Sequence, residues 1–425
     1  MMLAPFMARR LGETGRKSRL MLRVATLCVA VSVSVMLIAL GVVNGFRHTV
    51  SDKVSGFAAD IQLLPLGGAN ADEGTAISYD SLLVDEVAAT EGVAHVQRFA
   101  AKAGIIRNDS AIYGIMLRGF APETDTTFLH RQLVEGHIPT YTDSTRNREA
   151  VISRSISRAM RLQLGDKFDV LVVGGDTPRR DRLRVAGIYD SGMEEFDRMT
   201  VIGDISVVRR LNGWQQGETG GYEVLVQRGA DRKEVARRLA ENLQPTRVLD
   251  GWGEMAVESD TDAGSGDLEV WTVEERYPQI FDWLAMLGLN TTIVIVIMLV
   301  VAVVNMSSGV LIVVLEQTRN IGILKALGMR NGLLQRIFML RSVRITLRGL
   351  LWGDLLGIAL CLIQQYTGVV TLDPQNYMMS TVPVLLHWDE VLWLNLGTLG
   401  VITLSMALPA AIVARITPDK SIRFQ

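Results

Sequence analysis

The chain has little of what a disulfide scaffold or a soluble catalyst is built from. Only two cysteines occur in 425 residues, Cys28 and Cys361, and both lie inside apolar runs. The long polar region between them therefore has no thiol with which to form a cross-link. A lipobox at Cys28 is disfavoured because the residue before it, Leu27, is not small. Aromatic residues make up 6% of the chain, and the formal net charge is −2, which gives no overall attraction to nucleic acid. The G-x-x-x-x-G-K-[ST] loop that cradles nucleotide phosphates is absent, so the chain does not hydrolyse ATP by itself. H-E-x-x-H and G-x-S-x-G are absent too. His48, His95, His130, His137 and His387 are scattered without metal-ligand spacing. No catalytic residue and no metal site is predicted.

What the chain does have is long apolar runs, within a composition that is 48% hydrophobic. Uncharged stretches cover Val24–Phe46, Thr291–Leu315, Leu355–Leu372 and Val391–Ala414. At ~1.5 Å rise per residue, about 20 residues cross the hydrocarbon core, so all four are long enough to span a membrane. The first reads as a retained anchor, because it is too long for a signal-peptide core. Lysine and arginine set the orientation. Arg319, Lys325, Arg330, Arg336, Arg341, Arg344 and Arg348 crowd one short loop and Arg415, Lys420 and Arg423 the tail, whereas the loop Thr371–Glu390 has no lysine or arginine. Both termini are expected in the cytoplasm.

The predicted fold is an integral membrane α-helical protein, four spans in a 1+3 arrangement, with a large mixed α/β extracytoplasmic domain between the first two. The expected divisions are a cytoplasmic amphipathic segment (1–23), a first span (24–46) and the extracytoplasmic domain (47–282). A second span (283–315), a cytoplasmic segment (316–346) and a third span (347–372) follow. A short outer loop (373–390), a fourth span (391–414) and a tail (415–425) complete the chain. Within the domain, alternation predicts strands at Ile105–Ile106 and Ile112–Leu117 around the turn Asn108–Ser110. Glu149–Ile152, Phe168–Val173, Leu183–Ile188, Met199–Ile202 and Val224–Val226 read as further strands. Helices are expected at Ser153–Leu164, stopped by Gly165, and at Asp231–Leu243. Asp250–Glu275, rich in acids around Gly264, Ser265 and Gly266, reads as a solvated loop. Within the spans, Asn305, Ser307 and Ser308 suit helix–helix contact, and Asp354 is placed to pair with Arg348 or meet water.

Several patterns together resemble the lipoprotein-releasing permeases of the LolC/LolE family, within the wider group that includes FtsX and MacB. They are Phe6-Met7-Ala8-Arg9-Arg10, Asn44-Gly45-Phe46, Gly187 through Met193 followed by Glu195 and Asp197, and Val301 through Asn305. To these are added Glu316 through Gly328, Leu372-Asp373-Pro374 with Tyr377, Val382-Pro383-Val384, and a tail from Pro418 to Phe424. Gly192, Glu195, Asp197, Asn44, Gly45 and Asn305 are the motif positions singled out.

The resemblance implies a transporter permease of the bacterial inner membrane with its large domain in the periplasm. It would work with a second permease subunit, identical or paralogous, and a separate ABC ATPase that holds the ATP and Mg. An acylated lipoprotein would be passed to a periplasmic carrier by mechanotransmission. FtsX-like control of cell-wall hydrolases and MacB-like efflux are the alternatives. Glu316, Arg319, Ile321, Ile323, Leu324, Leu327 and Gly328 would form the ATPase-coupling helix, its apolar residues on one face and Glu316 near its N-terminus. Val42, Val43, Phe46, Met286 and Leu289 would line an apolar shelter for lipid chains.

Overall fold

A computed structural model describes residues 16–65, 75–107, 111–143, 145–172, 178–243, 268–373 and 379–406, together with 248–249, 255–256 and 377. The expected turn at Asn108–Ser110, the Phe6–Arg10 motif, the tail from Pro418 and the last third of the fourth apolar run, residues 407–414, lie outside the described residues. The chain divides into two compact units, one of residues 1–49, 283–371 and 381–425, the other of residues 50–282 and 372–380.

The helical unit is built on α1 (Arg16–Ala58), which continues past the unit boundary, α5 (Pro278–Glu316), α6 (Thr318–Ala326), α7 (Asn331–Thr367) and α8 (Trp388–Ser405). Three of these, α1, α5 and α7, are long and apolar enough to cross a membrane. Val29, Val33, Met36 and Leu37 of α1 share one buried cluster with Met306 and Val310 of α5 and with Leu334 and Phe338 of α7. Contact between α1 and α7 depends on a ladder of glycines. A Cβ at Gly349 would sit 2.7 Å from Val29, one at Gly353 2.7 Å from the Ala30 carbonyl oxygen, and one at Gly357 3.2 Å from Leu37. Small residues at four-residue spacing fall on one helix face, so the two backbones can approach closely.

Asp354 does not meet Arg348. Its carboxylate accepts two hydrogen bonds from Asn395 of α8, at 3.0 and 3.1 Å. Six positions along a helix carry a side chain more than half a turn around, which puts Arg348 on another face.

The second unit is a mixed sheet. Its strands are β1 (Ile61–Pro65), β2 (Val93–Arg107), β3 (Ile112–Phe120), β4 (Leu133–Gly136), β5 (Glu149–Ser153), β6 (Lys167–Val172), β7 (Arg179–Tyr189), β8 (Thr200–Asp204), β9 (Gly221–Val226) and β10 (Leu268–Thr272). They follow the order β10-β1-β9-β2-β3-β8-β5-β7-β4, and β6 pairs both β2 and β7. The pairing from β2 through β3, β8, β5, β7 and β6 therefore closes on itself, leaving those strands no open edge. Leu117, Ile152, Phe168, Val170, Leu183 and Val201 fill this ring together with Val208 and Leu211 of α3 (Ile205–Asn212). Val96, Tyr222 and Val224 form a second core, which is capped by α2 (Ser81–Ala89) and by Val235 and Leu239 of α4 (Arg232–Leu243). The strand β2 is long enough to serve both cores.

Two local expectations are corrected. The helix expected over Ser153–Leu164 runs only from Arg154 to Met160. Arg161 turns left-handed there (φ 52°) and Leu162 is buried in the core, so the chain leaves the helix to bury an apolar side chain. The end of the acidic stretch Asp250–Glu275 is ordered, not a loop. Leu268–Thr272 is β10, paired with β1, and Thr272 and Glu275 form a capping box on the turn Val273–Arg276. Leu268, Val270 and Thr272 face one side of β10 and Glu269 and Trp271 the other, so the short alternation is hidden by the acids that flank it in sequence, not by its own charge.

Candidate functional site

The expected coupling segment is a separate short helix, α6, but its boundaries and faces differ from those expected. Glu316 is the last residue of α5. Gln317 carries the break, its N–H donating to Val313 and its carbonyl accepting from Ile321 at 2.9 Å. The four apolar residues do not share one face. Ile321 is 2% exposed and joins the helical core with Leu324 packed against it, whereas Ile323 is 48% and Leu327 79% exposed. Spacing explains the split, because Ile321 and Ile323 lie about 200° apart around a helix. Gly328 adopts φ +87° and ends the segment, with Met329 N–H donating to the Leu324 carbonyl at 3.0 Å. The side chain of Arg319 lies outside the described residues.

At the far end of the same unit, α1 meets α5 and the segment after residue 381. Phe46 is buried and packs edge-on against Trp283, with ring centroids 6.3 Å apart. Asn44 donates to the Glu390 carboxylate, and Leu385 N–H donates to the Gly41 carbonyl at 2.9 Å. A Cβ at Gly45 would run into the Pro383 backbone, which explains glycine in Asn44-Gly45-Phe46. Of the expected shelter residues, Val42 and Val43 are half-buried, while Met286 and Leu289 stand on the exposed side of α5. Asn305 is half-buried beside the core residue Met306.

In the sheet unit, the motif from Gly187 to Asp197 comprises the last three residues of β7 and the loop, with its short helical turn, that leads on to β8. Its centre is a closed hydrogen-bonded ring. Ser191 donates through Oγ to Asp197 Oδ1 at 2.7 Å and through its N–H to Oδ2 at 3.2 Å. Met193 N–H donates back to Ser191 Oγ at 3.0 Å. Gly192 adopts φ +70°, which a side chain would resist. Burial pushes the Asp197 carboxyl up from its ordinary 3.8 to about 6, against the opposing pull of the Ser191 hydroxyl. Glu195, by contrast, is exposed.

Beside this loop lies a cavity of about 920 Å³ over one face of β2 and β3. Ala101, Ala103 and Gly114 keep its floor low, and Phe57, Phe196 and Tyr277 form its wall. Arg118 and Gln62 belong to the lining, and Arg118 pairs with the buried Glu223, to whose carboxylate Gln97 and Gln62 donate at 2.8 and 3.3 Å. Three features escaped the sequence reading: this four-strand network, the cavity and the glycine ladder of α7. The ladder had a readable signal in its four-residue glycine spacing. The network had none, because its residues are far apart in sequence.

Comparison with known proteins agrees with this architecture. A family model described as the MacB-like periplasmic core domain matches residues 24–242, more than half of the chain. One described as FtsX-like permease C-terminal matches residues 292–418. The lipoprotein-releasing system transmembrane protein LolC of Xylella fastidiosa is 23% identical over 93% of this chain and 92% of its own length. The lipoprotein-releasing system transmembrane protein LolE of Haemophilus influenzae is 20% identical over 92% of this chain and 91% of its own. Among solved structures, the periplasmic region of MacB from Actinobacillus actinomycetemcomitans matches with a TM-score of 0.35 at 13% identity, over 54% of this chain and 96% of that one. The chain belongs to the family of permeases that join a MacB-like periplasmic core domain to an FtsX-like permease C-terminal region, the LolC/LolE type to which its motifs point.

Proposed function

We propose that this chain is the four-span inner-membrane permease of an ABC transporter that lifts acylated lipoproteins out of the membrane and passes them to a periplasmic carrier. A separate ATPase subunit docks on α6 and supplies the work, and a second permease, identical or paralogous, completes the complex. Both termini face the cytoplasm, and the sheet unit is periplasmic. The observation that carries this reading is the two-sided character of α6. Ile321 fixes it in the helical core, while Ile323 and Leu327 are left exposed for a partner. A push on the exposed side is thereby delivered to the long helices. Arg319, on the same helix, is assigned to that contact.

Energetics explains why release needs both a motor and a carrier. At ~0.8 kcal/mol per buried methylene, two or three long acyl chains cost on the order of tens of kcal/mol to expose to water. The chains must pass between apolar shelters. The first shelter is assigned to the outer ends of α1 and α5, at Val42, Val43, Phe46, Met286 and Leu289. Because Met286 and Leu289 are open on this chain, the second permease is needed to close it.

The test is lipoprotein release from proteoliposomes that contain this chain, its ATPase and any paralogous permease, with and without the soluble carrier. ATP-dependent transfer of acylated protein to the carrier is the expected result, and Met286→Asp should abolish lipoprotein binding without disturbing ATPase assembly. Hydrolysis without release would favour the force-transmitting or efflux alternatives.

A further inference from the structure

Within the sheet unit, the last turns of α1 lie against the Gly187–Asp197 loop. Val50 and Val54 are fully buried, and Phe57 is 5% exposed. Phe57 stacks on Phe196 of the loop, with centroids 5.6 Å apart at 13°, and touches the Tyr189 ring at 5.7 Å. One turn earlier, Lys53 Nζ donates to the Ser191 carbonyl at 2.8 Å. Ser191 is the residue that Asp197 holds through both its N–H and its hydroxyl. The helix thus grips the loop by a ring stack and by one charged hydrogen bond, four positions apart on a single face.

The loop is tied to three strands in turn. The Asp197 carbonyl accepts from Ser153 at the end of β5. Tyr189, the last residue of β7, donates its hydroxyl to the carbonyl of Thr200, the first residue of β8, at 3.1 Å. The N–H, hydroxyl and carbonyl of Ser191 are all paired and the residue is buried, so its displacement is passed on to the groups it bonds. It must move the ends of β5, β7 and β8 together.

We propose that Lys53 is a positioning residue for transport, the point at which movement of α1 is handed to the periplasmic sheet through Ser191 and the Asp197 ring. This inference rests on the proposed mechanotransmission and gives the Gly187–Asp197 motif its role, that of a socket for the helix. Phe57 supplies the non-directional part of the grip. Lys53 supplies the directional part, because an ammonium donating to a carbonyl resists rotation of the helix about its own axis in a way a ring stack does not.

The experiment uses the full chain assembled with its ATPase and second permease in proteoliposomes, comparing wild type with Lys53→Met and Lys53→Arg. Methionine keeps the apolar stem and loses the donor; arginine keeps a donor. Lys53→Met is expected to leave ATP hydrolysis within about twofold while lipoprotein released per ATP falls about tenfold, and Lys53→Arg to restore most of the loss. Hydrogen exchange supplies a readout independent of substrate. The Ser191 and Met193 amides should change protection between nucleotide-free and ATP-bound complexes in wild type, and should not change in Lys53→Met. If wild type releases no lipoprotein yet shows the nucleotide-dependent exchange, the transport assignment fails and the joint stands. An unchanged release-to-ATP ratio in Lys53→Met overturns the joint. So does an arginine variant no better than methionine, or nucleotide-dependent exchange that persists in Lys53→Met.

Discussion

The helical unit and the sheet unit hide polar groups in opposite ways. Buried polar side chains of the helical unit are mostly hydroxyls, such as Ser32, Ser34, Ser342, Thr346 and Thr398. Such a group can be satisfied within its own helix, as Ser342 is by donating to the Phe338 carbonyl at 3.0 Å. In the sheet unit the buried polar groups include full charges, Glu223 paired with Arg118 of β3 and Arg98 paired with the partly exposed Glu123 after β3. The apolar residues are inverted as well. Leu355 and Leu356 of α7 are 61% and 52% exposed, whereas Leu117 and Val201 of the sheet are fully buried. One chain has thus been fitted to two solvents. In lipid an outward leucine costs nothing, and helices associate through small residues and close contact. In water the apolar residues drive the core, and a buried charge is tolerated once it is paired and hydrogen-bonded.

The comparison is broken most strongly by removing one partner of the sheet's charge network. Glu223→Ala leaves Arg118 buried and uncompensated and should cost the sheet unit about 3–5 kcal/mol. Urea unfolding followed by exchange of sheet amides should show this, with the helices of the full-length protein in detergent unaffected.

Next in size is a pH effect confined to the sheet unit. The folded Asp197 carboxyl is raised to about 6 from 3.8, so its neutral form favours the folded state. That stability is fully present below about pH 4 and is lost as pH rises through 6. A shift of about two units corresponds to about 3 kcal/mol between these limits. The melting temperature of the sheet unit should fall between pH 4 and 7, and Asp197→Asn should flatten that profile.

The smallest effect sharpens the helical side. Gly353→Leu pushes a side chain into the Ala30 backbone and should cost about 1–3 kcal/mol through overpacking. Thermal unfolding of the full chain in detergent should show this loss in the helical transition, and exchange at sheet amides should be unchanged.

Much of this was legible in the sequence. The apolar runs gave the long helices because length and the absence of charge suffice to specify a lipid-compatible helix. Strand alternation located β5 to β8 to within a few residues, since period-two patterning survives wherever one face is buried. Gly192 and Asp197 were visible only through the family resemblance, whereas Gly328 was readable as a helix stop because φ > 0 selects for glycine. The sequence did not reveal β10, a short strand set among acidic flanks, or the split of α6 into a buried and an exposed side. It did not pair Asp354 with Asn395 or join Gln62, Gln97, Arg118 and Glu223, whose meeting requires four strands to be set in register.

The sequence alone determined which segments can live in lipid, where helices and strands begin and turn, and which permease family the chain resembles. Those properties are local, set by side-chain polarity, period and backbone freedom. Only the tertiary structure decided that Lys53 meets Ser191, that β2 serves two cores and that a ring of strands closes through β6. Contacts between residues far apart in the chain depend on how whole elements pack, and no short stretch of sequence encodes that.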